Sequence, residues 1–262
     1  MPKKIIYYYQ TFNGLKKILF QETPVTHIHL SSIHFGLNTD NSPYIHLNDF
    51  APSNTKFDNV WKELEEAEKY NITTILMVGG AGGAFNNLFN NFDTYYPLLK
   101  DLVLNKKVIK GIDLDIEEYV KLEDVKMLIR QIKNDFGQDF LITMAPIQSS
   151  LQEDNPGMGG FIYKELYSSE EGKMIEYFNG QFYFNYSEES YTEAINNGYP
   201  SEKVIMGMIS GQDYTNELKK VILKYGDEFG GVFIWEYYDA PPTWYLDIQK
   251  IFNNTSQVCC IN

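Results

Sequence analysis

Cysteine is almost absent. The 262-residue chain holds two, Cys259 and Cys260, adjacent and at its far end, so no long loop can be closed by a disulfide between them. That usage fits a reducing compartment. No run approaches the roughly 18 apolar residues of a membrane span, so no membrane span is expected. The start, Met1-Pro2-Lys3-Lys4 before the short run 5–9, lacks the apolar segment and small-residue cleavage site of a secretory signal. A soluble chain is expected, cytoplasmic or exported without such a signal. Basic residues are also scarce, 22 Lys and Arg against 35 Asp and Glu, a formal charge of −13. Such a field repels polyphosphate backbones and anionic lipid heads, which argues against nucleic acid as a partner. No internal repeat, low-complexity tract or interdomain linker interrupts the chain, so one domain over 1–262 is expected, with a flexible tail from about 253. The tail, Cys259-Cys260-Ile261-Asn262, has the outline of a prenylation box, although Asn is not a usual last residue there; a frayed end is the plainer alternative.

Aromatic residues are plentiful, 15% of the chain with 20 Tyr, which suits stacking on sugar rings and ordinary packing equally. Short β-branched and aromatic runs at 4–9, 26–35, 72–78, 108–116, 140–144, 177–184, 203–208 and 231–235 alternate with stretches of helical period at 57–70, 92–104, 122–136, 216–225 and 244–252. Eight such βα units predict an α/β fold, a (β/α)8 TIM barrel without a large inserted subdomain. The longest irregular stretch, 148–160, carries Asn155-Pro156-Gly157 and Gly159-Gly160 and should lie over the barrel mouth. Loops after strands are where such barrels keep their chemistry.

The fourth run contains that chemistry. In Gly111-Ile112-Asp113-Leu114-Asp115-Ile116-Glu117 acids recur at every second position, so a strand puts them on one face and Ile112, Leu114 and Ile116 on the other. In a barrel the acidic face is the interior, with Glu117 nearest the C-terminal mouth; an acidic solvent face is the alternative, but the flanking Ile and Leu still demand burial. Crowded carboxylates cannot all ionise, so protons are expected to be shared among Asp113, Asp115 and Glu117, keeping one acid protonated near neutrality. A carboxylic acid held in that state is what a glycosidase uses to protonate a leaving oxygen.

The whole pattern resembles glycoside hydrolase family 18, the chitinases and endo-β-N-acetylglucosaminidases. The family's fourth-strand Asp-Gly-x-Asp-x-Asp-x-Glu is present from Gly111 to Glu117, and its third-strand Ser-x-Gly-Gly appears as Met77-Val78-Gly79-Gly80. Met144-Ala145-Pro146, Gln181-Phe182-Tyr183-Phe184-Asn185 and Gly230-Gly231-Val232-Phe233-Ile234-Trp235 fall in order at the fifth, sixth and eighth strands. The resemblance implies that Glu117 protonates the glycosidic oxygen, that Asp115 orients the substrate's own N-acetyl group, and that Tyr183 holds that group's carbonyl as it attacks the anomeric carbon. It implies retention through an oxazolinium intermediate with no enzyme nucleophile. Trp235 would form the floor beneath the sugar, with core packing as its alternative. Gln181, Asn185 and Met144 would line the same pocket beside Gly79 and Gly80. For Tyr9 and Phe35, at the mouths of the first two strands, core packing and sugar contact are equal readings.

Two positions depart from the family pattern. The motif's first acid is Lys110, which either pairs inward or points outward, and its serine is Met77. Loss of the serine removes a hydrogen-bond partner from the innermost acid, Asp113. These departures bear on rate and pH optimum rather than on fold. His34 reads as structural, and His27, His29 and His46 have no metal-ligand spacing, so neither metal nor cofactor is expected. The short segment 208–216 predicts an open groove and an endo-acting monomer on a polysaccharide or oligosaccharide containing N-acetylglucosamine. The other readings are an endo-β-N-acetylglucosaminidase on N-glycans, a non-catalytic chitinase-like lectin, and a metal-dependent enzyme in which the Asp-x-Asp-x-Glu series chelates Mg2+ or Mn2+.

Overall fold

The structure, a computed structural model, describes residues 2–256. The cysteine pair of the tail lies outside the described residues. Nine strands are formed among them: β1 (Lys4–Tyr9), β2 (His27–Leu37), β3 (Pro43–Leu47), β4 (Thr73–Gly79), β5 (Ile109–Asp115), β6 (Leu141–Met144), β7 (Tyr177–Gln181), β8 (Val204–Ile209) and β9 (Gly231–Trp235). All except β3 are parallel to their neighbours, and the β1–β2 pairing closes them into an eight-stranded barrel. The helices are α1 (Asp58–Glu68), α2 (Phe85–Asn90), α3 (Phe92–Asn105), α4 (Leu122–Phe136), α5 (Gln148–Gln152), α6 (Tyr163–Tyr167), α7 (Glu188–Asn196), α8 (Thr215–Tyr225) and α9 (Trp244–Ser256). No helix among the described residues is long and apolar enough to cross a membrane.

Helical period sets how each helix meets the barrel. In α4, Val125, Leu128, Ile129 and Ile132 recur three and four apart and are all buried against the strands. The helix stops at Gly137, whose φ of +92° is a conformation that side-chain-bearing residues avoid. Its bounds match the periodicity read from the sequence.

Strand alternation divides the apolar residues between two cores. Ile6, Tyr8, Met77, Tyr177, Ile205 and Phe233 fill the barrel interior. Their neighbours Ile5, Tyr7, Tyr9, Val232 and Ile234 belong to the larger core between barrel and helices. In that outer core Trp244 of α9 is fully buried, its ring edge-on to Tyr7 at 4.9 Å and its Nε1 donating to Met208 Sδ at 3.4 Å. Trp244→Ala is expected to cost about 3–5 kcal/mol, a Tm decrease of roughly 10 °C for a domain of this size, read by thermal unfolding.

Two elements differ from the sequence reading. The strand β3 pairs antiparallel with the outer half of β2 and makes a hairpin above the barrel rim. The run 177–184 leaves the sheet at Gln181, because Phe182 N turns back to Gly180 O and Phe184 takes a φ of +63°. Tyr183 therefore sits on a turn at the barrel mouth. Within 148–160, α5 forms first and buries Ser150 and Leu151; the rest of the stretch is irregular.

Candidate active site

Strand β5 places Asp113 and Asp115 inside the barrel, with 0% and 5% exposure, while Ile112 and Leu114 are buried on the outer face. Glu117, just past the strand end, is half-buried and opens onto a pocket of about 180 Å3 lined by Gly80, Ala81, Asp115, Glu117, Gln181, Tyr183 and Trp235. The pocket thus gathers Glu117, Asp115, Tyr183, Trp235, Gln181 and Gly80 from four strands and the loops that follow them. Gln181 Nε2 lies 3.3 Å from Asp115 Oδ1, 3.4 Å from Glu117 Oε1 and 2.8 Å from the Ala145 carbonyl, so one amide ties the two acids to the end of β6. The aromatic wall is continuous with the interior core, Trp235 meeting Tyr8 at 5.3 Å and Tyr183 meeting Phe233 at 6.2 Å between ring centroids.

Gly79 ends β4 with a φ of +98°, and a β-carbon there would lie 2.3 Å from the Asp115 carbonyl oxygen. Only glycine lets this turn lie against β5, where Gly80 N donates to the same carbonyl at 2.8 Å. The next residue after Glu117 locks the neighbouring loop: the Glu118 carboxylate accepts from Ala84 N and from Phe85 N at 2.5 Å.

Asp113 lies deeper and is fully buried. Its carboxylate accepts from Tyr8 Oη at 2.7 Å, Thr143 Oγ1 at 2.5 Å and Asn179 Nδ2 at 3.2 Å, and His29 Nδ1 stands 3.3 Å away. Burial drives the Asp113 carboxyl up, but the His29 ring and the hydrogen bonds outweigh it and hold the group below its ordinary value. Burial, then repulsion from Glu117 and Asp113, push Asp115 well above the usual carboxylate range. Asp115 is thus the acid of the series whose charged form its surroundings oppose. Burial and the same carboxylates also raise the Tyr183 phenol far above its normal value, leaving it a neutral donor.

Several expected site residues are elsewhere. Tyr9 has the opposite alternation from Tyr8; it is buried among the helices, donating to Glu63 Oε2 at 3.4 Å and accepting from Gly14 N at 3.0 Å. The Phe35 ring packs on Tyr95 of α3 at 5.6 Å, although Phe35 also lines a hollow beside the acid pocket. Met144 is fully buried in the outer core because Thr143 takes the inward position on β6. Asn185 lines a neighbouring hollow of about 450 Å3 that shares Gln181 and Tyr183 with the acid pocket. On the opposite side a hollow of about 760 Å3 holds Gln10, His34, Tyr44, Asn48 and Lys56 and shares Ala81. His34 is structural, bridging Ser32 Oγ and the Gly83 carbonyl at 2.8 Å each. No cluster of three His, Cys, Asp or Glu side chains placed to hold a metal ion occurs among the described residues.

Lys110 points outward, paired with Glu68 Oε1 at 2.7 Å on the barrel's exterior. Both side chains are about half exposed, so the pair is worth little. Lys110→Ala is expected to leave kcat/KM within about twofold of wild type, measured on whichever substrate the wild type cleaves. The residues around Asp113, namely Tyr8, His29, Thr143, Asn179 and Tyr177, were not singled out from sequence. For Asn179 a signal existed: it shares strand parity with Gln181, as Tyr8 does with Ile6.

A closed (β/α)8 barrel that presents a half-buried acid, with a second acid buried behind it and an indole in the pocket wall, is the architecture of a glycoside hydrolase. No family model matches the sequence, and no curated protein matches it. Among solved structures, a fungal endo-β-N-acetylglucosaminidase of glycosyl hydrolase family 18 is 29% identical over 96% of both chains, with a TM-score of 0.81. A chitinase of Aspergillus fumigatus is 26% identical over 92% of this chain and 93% of its own, at 0.83. A family 18 chitinase of Pseudoalteromonas aurantia, 19% identical, shares the fold at 0.72 over 95% and 100%. By structure the chain is similar to family 18 glycoside hydrolases, which supports a glycosidase.

Proposed function

We propose that the chain is a retaining, substrate-assisted hydrolase of β-1,4 bonds next to N-acetylglucosamine, acting within chitin or chitooligosaccharide chains. The observation that carries this reading is the pairing in one pocket of Glu117 at the mouth with the buried Asp115 behind it, joined by Gln181. Glu117 gives its proton to the glycosidic oxygen as the bond to the anomeric carbon breaks. The substrate's acetamido oxygen forms the new bond to that carbon, giving an oxazolinium ion, and no enzyme nucleophile takes part. Asp115 accepts from the acetamido N–H, a bond that strengthens as positive charge develops on that group, and Tyr183 donates to its carbonyl to hold the oxygen in line with the anomeric carbon. Glu117, now a carboxylate, takes a proton from water, which adds to the anomeric carbon on the face the leaving group left; the acetamido group reopens and configuration is retained. Trp235 supplies the flat apolar surface that a pyranose ring covers.

The hollows on both sides of the acid pocket support an endo mode, since sugar units can extend in either direction. The same reading takes the whole chain as one catalytic unit, working as a monomer. A second substrate reading, the N-glycan core, is favoured by the 29% identity to the fungal endo-β-N-acetylglucosaminidase. Product release from chitin oligosaccharides of defined length and from a high-mannose glycopeptide separates the two. Cleavage of the oligosaccharides is the expected result, cleavage of the glycopeptide alone selects the second reading, and binding without turnover of either leaves a lectin.

A further inference from the structure

Asp113 sits where the family pattern places a serine on the neighbouring strand, and here that position is Met77, paired in register with Asp113. A thioether has no proton to give. A nitrogen has instead come within reach from β2. His29 is fully buried, with Nδ1 3.3 Å from Asp113 Oδ2 and Nε2 3.2 Å from the hydroxyl of Tyr177, itself fully buried. Nδ1 lies 3.3 Å from Asp113 Oδ2 but has no well-aligned hydrogen-bond partner, so it acts through its dipole more than through a linear bond.

We propose that His29 is a positioning residue of the reaction: Tyr177 donates to Nε2, which fixes the ring with its proton on Nδ1, and that N–H faces Asp113 in place of the missing serine. The groups that surround the ring are Asp113 of β5, Tyr8 of β1 at 4.8 Å between centroids, Tyr177 of β7, and His27 two positions back on the same strand. Among them Asp113 is the acceptor that an Nδ1 proton can reach. The consequence runs up the strand. With a donor beneath it Asp113 stays a fixed negative charge, and its repulsion raises the proton affinity of Asp115. Burial raises Asp113, and the His29 ring is the largest influence acting against that rise.

The kinetic consequence rests on the proposed reaction; the ring geometry does not. Imidazole 15N shifts of the wild type, assigned by exclusion with His27, His34 and His46 variants, test the geometry directly. A proton on Nδ1 of His29 in every state of the ring is expected; a bare Nδ1 with the proton on Nε2 alone overturns the proposal, whether or not any glycan is cleaved. In kinetics, His29→Leu removes the donor and is expected to lower kcat roughly ten- to hundredfold with little change in KM. It should also move the acid limb of kcat/KM to higher pH, because a carboxylate that loses a donor binds protons more tightly. His29→Asn puts an amide nitrogen near the Nδ1 position and should keep the wild-type limb, and Met77→Ser added to the leucine variant should restore it. A leucine variant with the wild-type kcat and limb, or an asparagine variant impaired like leucine with the limb unmoved, contradicts the assignment. If the leucine variant does not fold, the asparagine variant and the 15N shifts decide. If the wild type cleaves nothing, the proposed reaction fails and the 15N shifts alone decide the role of His29.

Discussion

Glu117→Gln is expected to lower kcat by about 10²–10⁴-fold while the Kd for a chitooligosaccharide stays within a few-fold. The substitution keeps size, keeps an oxygen 3.4 Å from Gln181 Nε2, and removes only the transferable proton. Of the two acids that line the pocket, Glu117 is the one that is only half-buried. Steady-state kinetics with calorimetric binding measure both quantities on the same protein. A variant that retains turnover transfers the acid role to another group, and one that loses binding in proportion points to a collapsed pocket.

The second large effect couples activity with stability. Asp115→Asn is expected to reduce kcat roughly 10²-fold or more while raising Tm near neutrality. The carboxyl is 5% exposed and faces both Glu117 and Asp113, so ionising it in the folded chain is costly. Its proton affinity is higher folded than unfolded. The stability it contributes is therefore full below the ordinary carboxylate range and is lost as pH rises through that range towards the folded value. Asparagine does not titrate, so the Tm advantage of the variant should grow with pH across this window and vanish in acid. Asp113 has the opposite sign: its folded value is lowered, so its contribution is present above the ordinary range and lost as pH falls through the folded value. Thermal melts from acid to neutral pH check the slope, and a variant equally or less stable at pH 7 contradicts this account of the acid series.

How much of this was legible in the sequence depended on whether a residue's orientation is fixed locally. The acid series of β5 was, because alternation with Ile112 and Leu114 leaves one assignment of faces. Helix α4 was too, its apolar spacing and terminal Gly137 fixing both face and end. The mouths of β1 and β6 were not: nearness to a strand end suggested Tyr9 and the resemblance suggested Met144, but strand parity turns both outward and brings in Tyr8 and Thr143. The β3 hairpin had a signal in Asn38-Thr39-Asp40-Asn41-Ser42, where Asp40 accepts from Ser42 N and Asn41 takes a φ of +62°. The array around Asp113 joins residues up to 148 positions apart, His29 and Tyr177, and only barrel closure reveals it. The Met77 departure was visible at once, its replacement by His29 only after β2 was laid beside β4.

The central claim is that one acid and the substrate's own acetamido group, with no enzyme nucleophile, carry the reaction. Proton NMR of a chitooligosaccharide digest in its first minutes, before the products mutarotate, tests it most directly. The new reducing end should appear as the β-anomer. An initial α-anomer means inversion by a single displacement, and contradicts the account.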